Sequence, residues 1–167
     1  MRRAVLIFLA SALLAACGAK TPPAELAASA AEAKAFMDQN GKAEGVRTLP
    51  SGLQYKVVRS GPASGMRPQE TDEVKVHYEG KFLDGKVFDS SYERGMPAAM
   101  PLKALIPAWV EALQLMRPGD EWMLYVPPEL GYGEEGAGGG EIPPNSVLIF
   151  RIELIDVLPG PGRIARG

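Results

Sequence analysis

Residues 74–88 read VKVHYEGKFLDGKVF, and their alternation decides the fold. Val74, Val76, Tyr78, Gly80 and Phe82 fall on one face, and Lys75, His77, Glu79 and Lys81 on the other, which is the two-residue period of a strand with one dry side. Asp84 and Gly85 supply a hairpin turn, and Val87 and Phe88 return the chain antiparallel. Further on, Leu105, Ile106, Trp109, Leu113 and Met116 form one apolar face of a helix predicted over 103–116, with Pro107 in the first turn, where its missing N–H costs nothing. Arg117-Pro118-Gly119-Asp120 closes that helix. Strands follow over 121–126 and over 147–157, the second alternating Leu148, Phe150, Ile152 and Leu154. Upstream, Leu49-Pro50-Ser51-Gly52 is a turn and 53–58 a strand. The class is α+β, an antiparallel sheet packed on one short α-helix, with no internal repeat.

Ahead of this domain, Ala24 to Lys42 is rich in Ala, Glu and Lys, with Leu26, Ala30, Ala33 and Met37 spaced as a helical stripe that Gly41 and Gly45 end. The stripe covers under two heptads, whereas a coiled coil needs three or four. The expectation is a short N-terminal helix and a monomer, with residues 24–42 the surface on offer for a weak dimer.

Residues 1–20, MRRAVLIFLASALLAACGAK, carry Arg2 and Arg3 before an apolar run and small residues before Cys17, the pattern of a secretory signal. The run is short of the ~20 residues that cross a bilayer core. Leu14-Ala15-Ala16-Cys17 resembles a bacterial lipobox, which implies that 1–16 is removed and that Cys17 is lipidated. In lipoproteins of that type, Gly18 rather than Asp after the Cys goes with the outer membrane. The expected place is therefore the periplasm, lipid-anchored, with the membrane met only through the lipid on Cys17. Residues 17–45 form the tether and helix, 46–158 the domain, and 159–167 a tail.

Composition narrows the chemistry. Eighteen Lys+Arg against 20 Asp+Glu, a net charge of −2, leave no basic field to wrap nucleic acid. A single Cys and a single His exclude an intrachain disulfide, a Cys/His zinc site and two-histidine metal motifs. His77 is the only imidazole base, and nothing in the sequence sets a Ser and an orienting acid beside it, so a hydrolase is not indicated. The run Gly136 to Gly140 lacks the Lys and Ser/Thr of a phosphate cradle and reads as a mobile loop.

What remains is a set of apolar residues at element ends, Tyr78, Phe88, Ile106, Trp109, Tyr132, Ile142 and Phe150, each of which would singly be read as core. Their local strings are distinctive: VHYEGKFLDGKVFDSS from Val76, IPAWVEALQLM from Ile106, PPELGYGEEGAGGGEIPPNSVLIFRIEL from Pro127, and LPSGLQYKV from Leu49. In their order along the chain, across 46–158, they closely resemble the FKBP-type peptidyl-prolyl cis-trans isomerases. The resemblance implies a twisted antiparallel β-sheet wrapped around one short helix, with a dry pocket for a proline ring between them. It implies Trp109 as the pocket floor and Tyr78, Phe88, Met100, Leu105, Ile106, Ile142 and Phe150 as its walls. The Ile106 backbone N–H and the Tyr132 hydroxyl would donate to substrate carbonyls, and the Asp89 carboxylate would sit beside the Tyr78 hydroxyl. The implied partners are proline-containing polypeptides, with no cofactor and no metal. Two positions depart from the family: Met100 stands where bacterial members usually have Phe, and Ala108 where Gly usually precedes the Trp. The expected activity is isomerisation of X-Pro bonds in exported proteins; the other reading is an envelope-anchored chaperone or proline-peptide-binding module without turnover.

Overall fold

The computed structural model describes residues 22–161. The decisive stretch is strand β3, Glu73–Lys81, with Val74 and Val76 fully buried and Tyr78 nearly so, while Lys75 faces water. It pairs along its whole length with the last strand, β7 (Leu148–Leu158). Its other edge is shared by β4 (Val87–Ser90) at one end and β5 (Ala98–Pro101) at the other. Where the ladder changes partner, Ser91 fills in: its N–H donates to the Tyr78 carbonyl at 2.9 Å, and its Oγ accepts from the Tyr78 N–H at 2.8 Å.

Strands β1 (Val46–Thr48), β2 (Gln54–Arg59) and β6 (Glu121–Val126) complete an antiparallel sheet in the order β1-β2-β6-β7-β3-β4, with β5 on β3. Neither β1 nor β5 was legible from periodicity, because Val-Arg-Thr is too short to alternate and Ala-Ala-Met-Pro does not alternate at all.

The core helix begins later than its stripe suggests. Leu102–Ala104 is a separate 3₁₀ turn, and the helix runs over Pro107–Leu115. A residue before proline is pushed out of the helical region, and Ile106 is accordingly extended at φ −61°, ψ 150°. The helix buries Ala108, Trp109, Ala112 and Leu113 in one cluster with Val74, Leu124, Phe150 and Ile152 of the sheet.

Pro23–Asn40 forms the N-terminal helix, here α1, which makes the core helix α2. Most of a helix's stability in a protein comes from packing one face, and this one is docked. Ala33 and Met37 are buried against Val147, and Phe36 meets Tyr125 at 6.3 Å. Burying Met37 stabilises the contact by about 2 kcal/mol. The buried Gln54 amide donates to the Met37 carbonyl at 2.8 Å and accepts from Asn40 at 2.8 Å. The stripe on offer to a second copy is thus half used: Ala33 and Met37 face the chain's own domain. No helix among the described residues is long and apolar enough to cross a membrane. Cys17, the signal-like segment and most of the tail lie outside the described residues.

Candidate active site

Between α2 and the concave side of the sheet lies a cavity of about 250 Å³. Trp109, presented by the first turn of α2, meets Tyr78 at 5.1 Å and Phe150 at 5.2 Å, both nearly perpendicular. Phe150 in turn meets Phe88 at 5.7 Å and 87°. Such edge-to-face contacts match the positive edge of one ring to the negative face of the next and hold the walls in fixed orientations. Gly80 makes this possible: a Cβ there would lie 2.6 Å from Phe88 Cζ and 2.7 Å from Phe150 Cε1. Met100, Leu105 and Ile106 complete the apolar lining, joined by Ala104, which the sequence reading did not single out. Ile142 lies outside that lining, buried in the same core and bridged to Ala137.

One side of the cavity is polar. The Tyr78 hydroxyl donates to Asp89 Oδ2 at 2.5 Å, as expected from the sequence. Arg94, absent from that expectation, donates through Nη1 to Asp89 Oδ1 and through Nη2 to the Tyr78 oxygen at 2.8 Å, with its guanidinium 5.4 Å from the Tyr78 ring centre. Its only sequence signal is a cation five residues after Asp89, in a loop whose path periodicity does not reveal.

Burial pushes the Asp89 carboxyl up, but the Tyr78 hydroxyl and the Arg94 guanidinium outweigh it and hold the group below the ordinary carboxylate value. Burial and the Asp89 hydrogen bond raise the Tyr78 phenol. A carboxyl lowered on folding contributes stability above its unfolded value, near 3.8, and loses it as pH falls through the lower folded value. Asp89 is half exposed, so this contribution is small. Removing the cation in Arg94→Ala raises the Asp89 titration midpoint, measured by the carboxyl carbon shift, so that Asp89 protonates at a higher pH than in the parent. An unmoved midpoint would show that Arg94 does not govern Asp89.

Several donors at the cavity are unspent, the buried Trp109 Nε1–H among them. Among the described residues, neither the Ile106 N–H nor the Tyr132 hydroxyl has a protein acceptor. Ile106 is free because proline leaves it extended ahead of α2; Tyr132 rises from the loop after β6 and is 39% exposed. Both line the cavity.

The other chemical candidates resolve differently. A Ser does stand beside His77, contrary to the sequence reading: Ser91 Oγ is 2.9 Å from Nδ1. Strand pairing, invisible in the sequence, brings them together. Ser91 is fully buried and its hydroxyl is committed to the Tyr78 backbone, so it presents no nucleophile. The glycine-rich loop is closed at its neck: Ala137 and Ile142 exchange both backbone hydrogen bonds, at 3.0 and 3.1 Å. Gly136 is required at its neck, since a Cβ would lie 2.1 Å from the Ile142 carbonyl oxygen.

Fold and cavity together define the class, and comparison agrees with them. The family model described as FKBP-type peptidyl-prolyl cis-trans isomerase matches residues 65–155, and the chain belongs to that family. A second model, for the domain amino terminal to such isomerases, matches residues 11–57. The chain is 50% identical over 131 residues to the FKBP-type 22 kDa peptidyl-prolyl cis-trans isomerase of Escherichia coli, covering 78% of this chain and 62% of that one. It is 52% identical over 129 residues to the peptidyl-prolyl cis-trans isomerase Mip of Coxiella burnetii, covering 77% and 55%. The chain thus spans less than two thirds of these relatives' lengths. A solved isomerase from Pseudomonas syringae pv. tomato superposes with a TM-score of 0.75 at 35% identity, covering 84% of this chain and all of that one.

Proposed function

We propose that the chain is a peptidyl-prolyl cis-trans isomerase acting on X-Pro bonds of exported polypeptides, and so assists their folding. The observation that carries this is the cavity itself: aromatic walls fixed edge to face, with two unspent donors, at Ile106 and Tyr132, on its lining. Rotation about an X-Pro bond is slow because amide resonance must be broken, a barrier of about 18–20 kcal/mol. The reaction makes and breaks no covalent bond and transfers no proton, so it needs no nucleophile.

In this reading Trp109, Phe88 and Phe150 grip the proline ring. Apolar surroundings disfavour the charge-separated planar amide relative to the twisted one. Donors fixed in advance on the Ile106 N–H and the Tyr132 hydroxyl hold the flanking carbonyls in the twisted geometry. Asp89, tied to Tyr78 and Arg94, keeps the Tyr78 wall in place at the cavity rim. Each ~1.4 kcal/mol of preferential stabilisation of the twisted state gives tenfold in rate, so two or three such contacts suffice for useful acceleration. The isomerase names of the relatives support the reading. Its test is the cis-to-trans relaxation of a short Leu-Pro peptide with the folded protein: acceleration is expected, and peptide binding without acceleration would favour the holding module instead.

The same proposal places the protein in the periplasm, on a lipid at Cys17. With the acyl chains carried by one residue, Cys17→Ser moves the protein from the membrane pellet to the soluble fraction. A variant that still sediments with membranes would overturn the lipid anchor.

A further inference from the structure

Asn145 departs from every other non-glycine residue described: its φ is 55°, in the left-handed region, and it is 7% exposed. Asparagine tolerates that conformation, but glycine takes it more readily, so the backbone alone does not explain the side chain. The side-chain amide nitrogen spends both of its protons on α1. This Nδ2 donates to the Leu26 carbonyl at 3.0 Å and to Ser29 Oγ at 3.1 Å, both on α1 and more than a hundred residues away in sequence. Ser29 spends its own proton on the Leu26 carbonyl at 3.0 Å, which leaves its oxygen free to accept.

The backbone of Asn145 faces the other way. Its N–H donates to the Gly133 carbonyl at 2.9 Å, one residue from Tyr132. The Tyr132 loop is otherwise held by short local bonds, Gly133 N–H to the Pro128 carbonyl and Gly136 N–H to the Tyr132 carbonyl. One residue therefore joins α1 to the segment that aims the Tyr132 hydroxyl, and it does so without lining the cavity. Two residues on, Val147 packs on Ala33 and Met37, so the joint is apolar as well as polar.

We propose that Asn145 is a positioning residue through which docked α1 sets the placement of Tyr132, so that α1 is a working part of the isomerase site rather than a spacer. The inference rests on the isomerase reading for its activity readout, but the linkage itself does not. Displacement of a reacting group by about 1 Å can cost up to a hundredfold in rate, so partial loss of this joint is expected to cost about fivefold.

The test uses the full chain in three forms. Asn145→Gly keeps the left-handed backbone and the Gly133 bond while deleting both bonds to α1. Ala33→Glu puts a carboxylate into the buried contact and lifts α1 from the other side. The third form is the double variant. Two readouts are taken: kcat/KM for a Leu-Pro peptide, and the ring signals of ¹³C-labelled Tyr132 in the NMR spectrum. Each single variant is expected to lower kcat/KM about fivefold and to move the Tyr132 signals to a common new position, and the double to do no more than either. Unmoved Tyr132 signals in folded Asn145→Gly would overturn the proposal, as would effects that add in the double variant. If the parent accelerates no peptide, the isomerase reading fails by itself, and the Tyr132 signals still decide the linkage.

Discussion

Tyr132→Ala lowers kcat/KM for a Leu-Pro peptide about thirtyfold and leaves the melting temperature within about 2 °C of the parent. The two halves of that expectation have separate causes. The ring is 39% exposed, and its hydroxyl has no protein acceptor among the described residues, so truncation breaks little that holds the fold. A donor held in place for a carbonyl in a water-poor cavity contributes about 2 kcal/mol to the twisted state, which converts to about thirtyfold in rate. Tyr132→Phe separates hydroxyl from ring and should retain the fold while losing most of the same activity. Full activity in both folded variants would remove Tyr132 from the site.

Gly80→Ala should lower the melting temperature by about 10 °C. In a strand, Ala is ordinarily preferred to Gly by about 0.5–1 kcal/mol, and Gly80 has no positive φ to defend, so the intrinsic effect is stabilising. Packing opposes it. The added methyl lies 2.6 Å from Phe88 and 2.7 Å from Phe150, and overpacking of this kind costs about 1–3 kcal/mol or more. Because both rings line the cavity, the shift that relieves the clash also moves the walls, and activity should fall with stability. A melting temperature equal to the parent's, measured by calorimetry, would show that the rings can move aside at no cost.

Strands β3 and β7 were legible because one face of each is drier than the other, which two-residue alternation records directly. The onset of α2 was misread because apolar spacing continues through Leu105 and Ile106, while the backbone obeys Pro107. That misreading mattered, since the extended Ile106 is what frees its N–H. Of the site, the residues with large apolar side chains were readable through resemblance. Arg94, Ser91 and Asn145 were not, because each acts through a partner that only strand pairing or helix docking brings near.

The position of β7 between β3 and β6 has a consequence for how the chain comes into being. The central strand follows every other described element along the chain, and Phe150, Ile152 and Leu154 from it are buried in the core. Without β7, β3 and β6 have no common neighbour, and the core between them cannot close. The cavity beside Phe150 therefore forms with the whole sheet rather than piece by piece.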